Sequence, residues 1–200
     1  MHGVGHVFAK QAFETFNLAP FYPVLEQISP DPDFSTVDNP NPEEIKSLDL
    51  SIKAANSSGA SVIFINDPDA DRLAVGEKQA NGEWRVFTGN EIGCMMASFL
   101  IERLKLKNGG VLPKNTAMLT TAVSSQMLSA IAKKDGILYE ETLTGFKWLG
   151  NSAAKLELAG YEVIFAYEEA IGFMVPGIVH DKDGVSALAI FGKSYFVEQQ

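Results

Sequence analysis

Asp67, Asp69 and Asp71 stand at alternate positions, followed at once by Arg72 and preceded by the apolar run Ser61 to Ile65. Alternate residues of an extended segment point the same way, so these carboxylates converge at the carboxyl end of a buried strand. Open α/β sheets bind ligands there. Like charges at close range raise one another's pKa unless a cation neutralises them, and an all-oxygen set favours a hard ion such as Mg²⁺. A bare Asp-rich turn is more often solvated; the preceding strand and the attached Arg72 favour metal. An EF-hand loop starting at Asp67 fails, because its sixth and twelfth positions are Arg72 and Lys78 rather than Gly and Glu. A phosphatase of the haloacid-dehalogenase type, with Asp67 as nucleophile, is weakened by Asp71 standing where such enzymes carry Thr or Val.

Three further segments carry polar chemistry near strand ends. Thr142 to Gly150 offers the hydroxyl of Thr144, the flexible backbone of Gly145 and the cation of Lys147, suited to a phosphate or a sugar. Glu168 and Glu169 could grip sugar hydroxyls through charge-assisted hydrogen bonds. Lys182 sits between Asp181 and Asp183, where the plainer reading is a helix N-cap with the lysine exposed. Each of the three, taken alone, reads more often as ordinary surface.

An alternation of elements must position these groups. Phe8, Ala12 and Phe16 predict one amphipathic helix. Phe21 to Ile28 predicts a strand, pushed to a sheet edge by Pro23. A helix opens at Pro42 and runs to about Asn56, and Ser61 to Ile65 is a strand. Leu73 to Glu77 and Trp84 to Phe87 form a hairpin turning at Asn81 and Gly82. Thr88 and Glu91 fit a capping box for a helix to about Leu106. Strands over 117–122, 137–140 and 163–167 then alternate with helices over 125–133, 151–158 and 186–198. This predicts an α/β fold of two consecutive α/β/α layered domains with mixed sheets, residues 1–87 and 88–200.

Composition narrows the classes. Hydrophobic residues make up 46% and charged residues 20%, enough apolar material for a core. Against 16 Lys and Arg stand 25 Asp and Glu, a net charge of -9 that disfavours nucleic acid and anionic lipid as partners. Cys94 is the one cysteine, so no internal disulfide forms, and a reducing compartment fits. No stretch is apolar enough to span a bilayer. The start shows neither a charged leader nor a secretory core, and the last helix lacks a cap or stop. The ends fit equally a piece of a longer chain and a small protein with a frayed final helix.

Together, the motifs resemble the two middle domains of the α-D-phosphohexomutase superfamily, most nearly its eukaryotic phosphoglucomutase-2, or phosphopentomutase, branch. The resemblance is carried by His2 to His6, Asn41 to Glu44, Asn66 to Val75, Gly82 to Phe87, Glu141 to Trp148, Tyr167 to Gly172 and Asp181 to Ser186, in order along nearly the whole chain. It implies that Asp67, Asp69 and Asp71 hold Mg²⁺, with Arg72 beside them contacting substrate in a catalytic role. Thr144 and Gly145 match a sugar-phosphate loop, Glu168 an acid that binds sugar hydroxyls, and Lys182 a substrate-binding general acid or base, with Lys147 a second candidate. Ala170 stands where many relatives have Ser, which puts that hydroxyl contact in doubt and fits pentose tolerance.

Such enzymes set four domains around one cleft and pass a phosphoryl group between a phosphoserine and a phosphosugar. A sugar bisphosphate such as glucose 1,6-bisphosphate activates them, and they work in the cytoplasm. The serine loop, which reads T-A-S-H-N-P or similar, has no counterpart here, since none of the three His follows a Ser. The resemblance therefore implies a fragment that depends on N-terminal and C-terminal domains of a parent chain and is inactive alone. A stand-alone Mg²⁺-dependent aspartyl phosphatase and a non-catalytic sugar-phosphate binding module are the competing readings.

Overall fold

The computed structural model describes residues 1–177 and 179–197. Along the chain run α1 (Gly5–Thr15), α2 (Asp49–Ser58), β1 (Val62–Ile65), β2 (Ala74–Lys78), β3 (Trp84–Val86) and α3 (Gly89–Lys107). There follow β4 (Thr116–Thr121), α4 (Met127–Asp135), β5 (Leu138–Thr142), α5 (Phe146–Leu158), β6 (Glu162–Glu168), β7 (Gly172–Met174) and α6 (Gly184–Val197). The chain gathers into two compact units, Met1–Thr88 with the residues from Gly184 onward, and Gly89–Asp183. The closing helix thus clusters with the first unit, whereas the sequence assigned it to residues 88–200. The expected end of that helix at Glu198 lies outside the described residues.

In the first unit β1, β2 and β3 form an antiparallel sheet in that order. Helix α6 packs on α1, and its Phe191 meets Phe64 of β1 edge to face at 6.1 Å. In the second unit the order is β5-β4-β6-β7, parallel except for the β6–β7 pair, so the sheet is mixed. All six residues of β4 are buried, as a central strand covered on both faces requires. One face carries Ala117, Leu119, Val163 and Ala166 against Phe146, Leu149 and Ala153 of α5. The other stacks Phe165, Tyr167 and Phe173, fully buried, with ring centres 6.0–6.5 Å apart.

Four local expectations change. The buried stripe of α1 is Ala9 and Phe13, one residue on from the predicted face, while Phe8 and Phe16 are half exposed. Phe13 turns inward to meet Phe21 at 4.9 Å, and that contact sets the face. Residues 21–28 form no strand, only a 3-10 turn at Leu25–Gln27, because Pro20 and Pro23 bring no backbone donors. The helix expected from Pro42 begins at Asp49 after a 3-10 turn at Ile45–Leu48. The acids that would have opened it bond elsewhere: Glu44 accepts from Asn39, and Glu43 faces Arg72. Helix α5 starts five residues earlier than predicted, at Phe146, whose buried ring anchors its first turn. The short strand β7 has no forerunner in the sequence reading. No helix of the described residues is long and apolar enough to cross a membrane.

Candidate functional site

Strand β1 delivers its carboxyl end directly into Asn66 and Asp67. One carboxylate oxygen from each of Asp67, Asp69 and Asp71 lies within 4.8 Å of the others. Asp67 is buried, Asp71 half-buried and Asp69 exposed, so the cluster opens from protein toward solvent. An all-carboxylate donor set of this reach, with one open side, fits a hard divalent cation such as Mg²⁺.

Arg72 closes the buried side. Its Nε donates to Asp67 Oδ2 at 2.6 Å, its backbone N–H to Asp67 Oδ1 at 3.0 Å, and its Nη1 to Asn41 Oδ1 at 3.2 Å. Glu43 stands 3.7 Å from Nη1. Burial pushes the Asp67 carboxyl up, but the hydrogen bonds and charge of Arg72 outweigh it and hold Asp67 below the usual carboxylate range. Burial likewise pulls the guanidinium down, and Asp67, Glu43 and Asp71 more than restore it.

The loop is held by backbone rather than by side-chain packing. Val4 N–H donates to the Pro68 carbonyl at 2.9 Å and Gly184 N–H to that of Ala70 at 3.0 Å. Asn66 Nδ2 donates to the carbonyls of Arg72 and Gly184 at 2.6 and 3.2 Å. A Cβ on Gly3 would lie 1.8 Å from the Pro68 oxygen, and one on Gly184 2.4 Å from the Arg72 oxygen. Ala70 is held left-handed at φ 61°, which turns the chain between the second and third aspartates.

In the second unit Glu168 and Lys182 meet at Gly172. A Cβ there would meet Phe146 at 2.8 Å, Lys182 Cδ at 3.0 Å and Glu168 Cγ at 3.1 Å, so the missing side chain lets Glu168 and Lys182 flank one point. Lys182 Nζ lies over the Phe146 ring, 5.8 Å from its centre. Phe146 is the first residue of α5, directly after Thr144, which is exposed, and Gly145, whose φ of 110° only glycine takes readily. Lys147 sits exposed on the first turn of α5, with Nζ 6.0 Å from the Trp148 ring. Ala170 is half-buried in the β6–β7 turn.

The two glutamates of the pair part company. Glu169 Oε2 accepts from Thr121 Oγ1 at 3.1 Å and Ser124 Oγ at 3.2 Å, tying the turn to the end of β4. Glu168 ends β6 on the side of Lys182. Three contributors lay outside the candidate set: Asn41 and Glu43 on Arg72, and Asn66 across the aspartate loop. A sequence cue existed for the first two, since a Pro preceded and followed by polar residues in a loop, Asn41 to Glu44, is a turn with oxygen atoms to offer.

Comparison with known proteins bears on both units. Residues 1–82 match the phosphoglucomutase/phosphomannomutase α/β/α domain II profile, and residues 88–194 the domain III profile. Human phosphopentomutase is 54% identical over 192 residues, covering 95% of this chain and 31% of that protein. Human glucose 1,6-bisphosphate synthase is 50% identical over 193 residues, covering 94% and 31%. The open form of parafusin, a phosphoglucomutase from Paramecium, has a TM-score of 0.66 at 26% identity, covering 100% of this chain and 33% of that one. The chain thus spans about a third of the length of the curated relatives it matches. With both units matched by consecutive domains of one group of enzymes, the chain belongs to the phosphoglucomutase/phosphomannomutase family.

Proposed function

We propose that these residues supply the metal-binding and sugar-recognition parts of a phosphomutase that interconverts sugar 1-phosphates with 6- or 5-phosphates. The observation that carries this reading is the convergence of Asp67, Asp69 and Asp71 beside Arg72, in a chain of this family. Bound there, Mg²⁺ would spread the negative charge that develops on a phosphoryl group in transfer. Arg72, oriented beside the cluster by Asp67 and Asn41, contacts the phosphosugar. Glu168 accepts hydrogen bonds from sugar hydroxyls, and Lys182, beside it at Gly172, gives or takes the proton of the sugar oxygen that leaves or attacks. Thr144, Gly145 and Lys147 take the distal phosphate. Ala170 contributes no hydroxyl, which leaves room for a pentose as well as a hexose.

The phosphoserine and the remaining phosphate contacts belong to further domains of a parent chain, a sugar bisphosphate primes the serine, and the compartment is a reducing cytoplasm. The 200 residues alone do not turn over, because they hold no serine-loop motif. Reading Asp67 as a phosphatase nucleophile is disfavoured by its two oxygens, both of which accept hydrogen bonds from Arg72.

Calorimetry with MgCl₂ and a melting series with glucose 1-phosphate and ribose 1-phosphate test the assignment. Mg²⁺ heat is expected in the chain and absent when all three aspartates become Ala; the sugar-phosphate melting shift is expected to vanish in Glu168→Gln. Identical Mg²⁺ responses in the two proteins would sink the metal assignment. Coupled turnover by the purified chain, abolished in Asp69→Ala, would overturn the claim of inactivity, and release of phosphate from an aryl phosphate would restore the phosphatase.

A further inference from the structure

A buried glycine, Gly150, stands inside helix α5, where it weakens the helix relative to alanine. The structure shows what it makes room for. A Cβ on Gly150 would lie 2.0 Å from the His180 carbonyl oxygen and 3.0 Å from the carbonyl carbon, so the backbone of His180 rests directly on the helix. Two turns further along α5, Glu157 Oε2 meets His180 Nε2 at 2.7 Å.

Phe146, Gly150 and Glu157 fall on one line of α5, because positions four and eleven residues on from Phe146 return to nearly the same side of an α-helix. His180 sits at the middle and far end of that line. Lys182 sits at its start, with Nζ 5.8 Å from the centre of the Phe146 ring. The spacings agree: from His180 to Lys182 the chain reaches at most about 7 Å, and from Gly150 back to Phe146 the helix rises about 6 Å. Residues 180–182 therefore run back along the helix that pins them, and where His180 is held decides where Lys182 arrives. On the other side, Lys182 Cδ lies 3.0 Å from the place of a Cβ on Gly172, and Asp183 N–H donates to the Phe173 carbonyl at 3.0 Å. The lysine is thus bracketed between α5 and β7.

We infer that Gly150 and Glu157 are positioning residues: through His180 they set the place of the Lys182 side chain beside Glu168, and with it the strength with which the site takes a sugar phosphate. In this the inference rests on the proposed roles of Lys182 and Glu168 toward the sugar. Gly150, Glu157 and His180 act through Lys182 and not on the sugar itself. The two positioning residues differ in weight. Gly150 governs a backbone contact that no change of rotamer relieves, whereas the Glu157–His180 pair is partly exposed, and pairs of that kind contribute little on their own. Gly150 permits the course of the segment, and Glu157 trims it.

Lysine-selective labelling reads the position of Lys182 directly, because an aromatic ring shifts the resonances of protons held over its face. The Lys182 methylene resonances, assigned by their loss in Lys182→Gln, are expected to stand upfield of those of the other lysines. They should move toward the others in Gly150→Ala, move partway in Glu157→Ala, and stay in place in Glu157→Gln, which keeps an oxygen for His180. Ribose 1-phosphate affinity, measured by calorimetry, should fall roughly tenfold in Gly150→Ala and about threefold in Glu157→Ala, and be kept in Glu157→Gln. Gly150→Ala is expected to melt cooperatively, since alanine is the better helix former. Unmoved Lys182 resonances in both Gly150→Ala and Glu157→Ala would overturn the inference, as would unchanged affinity in variants whose Lys182 resonances have moved. Should Gly150→Ala fail to fold, Glu157→Ala decides by the same two readouts. A chain that binds no ribose 1-phosphate, yet whose Lys182 resonances respond as expected, would sink the proposed sugar-binding role and keep the positioning of Lys182 by Gly150 and Glu157.

Discussion

The loop after β1 and the turn after β6 occupy the same place in their sheets. Each leaves the carboxyl end of a strand and returns as an antiparallel neighbour, and each passes through one non-glycine residue with positive φ, Ala70 at 61° and Ile171 at 56°. Their chemistry differs. The first loop concentrates three carboxylates and balances the buried one with Arg72, and backbone contacts from Val4 and Gly184 hold its course. The second spends one glutamate on hydroxyls of its own unit and leaves the other beside a lysine at Gly172. One topological position thus serves two arrangements: like charges held together, and one glutamate tied to β4 while its neighbour lies beside Lys182.

Substituting the glycines separates the two most strongly. Gly3→Ala or Gly184→Ala drives a methyl into backbone atoms, whereas Gly172→Ala meets side chains, the Phe146 ring edge and the stems of Lys182 and Glu168, which yield more readily than backbone. Denaturant melts should show a loss of about 3 kcal/mol or more for the first two and about 1 kcal/mol for the third. Equal losses would erase the distinction between a loop held by backbone and a turn held by side chains.

Charge removal comes next. Asp67→Asn leaves Arg72 without its buried partner and should cost about 2 kcal/mol, discounted because Arg72 is partly exposed. Asp69→Asn, at an exposed position, should leave the denaturation midpoint nearly unchanged while Mg²⁺ heat falls. A large stability loss in Asp69→Asn would mean that the cluster is a structural network rather than an open ligand set.

Acid should weaken the first unit through Asp67. The folded pKa of Asp67 lies below its unfolded value, so its contribution is complete above the unfolded pKa and is lost as pH falls through the folded one. Melting temperature is therefore expected to drop on acidification below about pH 4, with a flatter acid limb in Asp67→Asn. The smallest effect belongs to the glutamate pair. Glu169→Gln should cost about 1 kcal/mol by weakening its bonds to Thr121 and Ser124, with sugar-phosphate binding kept. Glu168→Gln should abolish the sugar-phosphate melting shift.

Much of the first loop was legible because strand periodicity is local: three aspartates two apart after an apolar run converge wherever that run becomes a strand. The second site was legible in its residues but not in its geometry. Nothing about Glu168 and Glu169 as neighbours says which one turns to Thr121, since that hydroxyl arrives from β4, dozens of residues earlier. The helix expected from Pro42 shows the same limit. Its acidic first turn is a sound local cue, yet Arg72 and Asn39 compete for those carboxylates and delay the helix to Asp49.

From the sequence alone came the alternation of strands and helices, the α/β class, the acidic cluster and its adjacent arginine, because each depends on residue type and on a repeat of two or 3.6 residues. The tertiary structure decided which face of α1 is buried, which aspartate is enclosed, where Lys182 lies relative to Glu168, and that α6 packs on α1. Those outcomes rest on contacts between residues far apart in the chain, and such contacts leave no period in the sequence to be read.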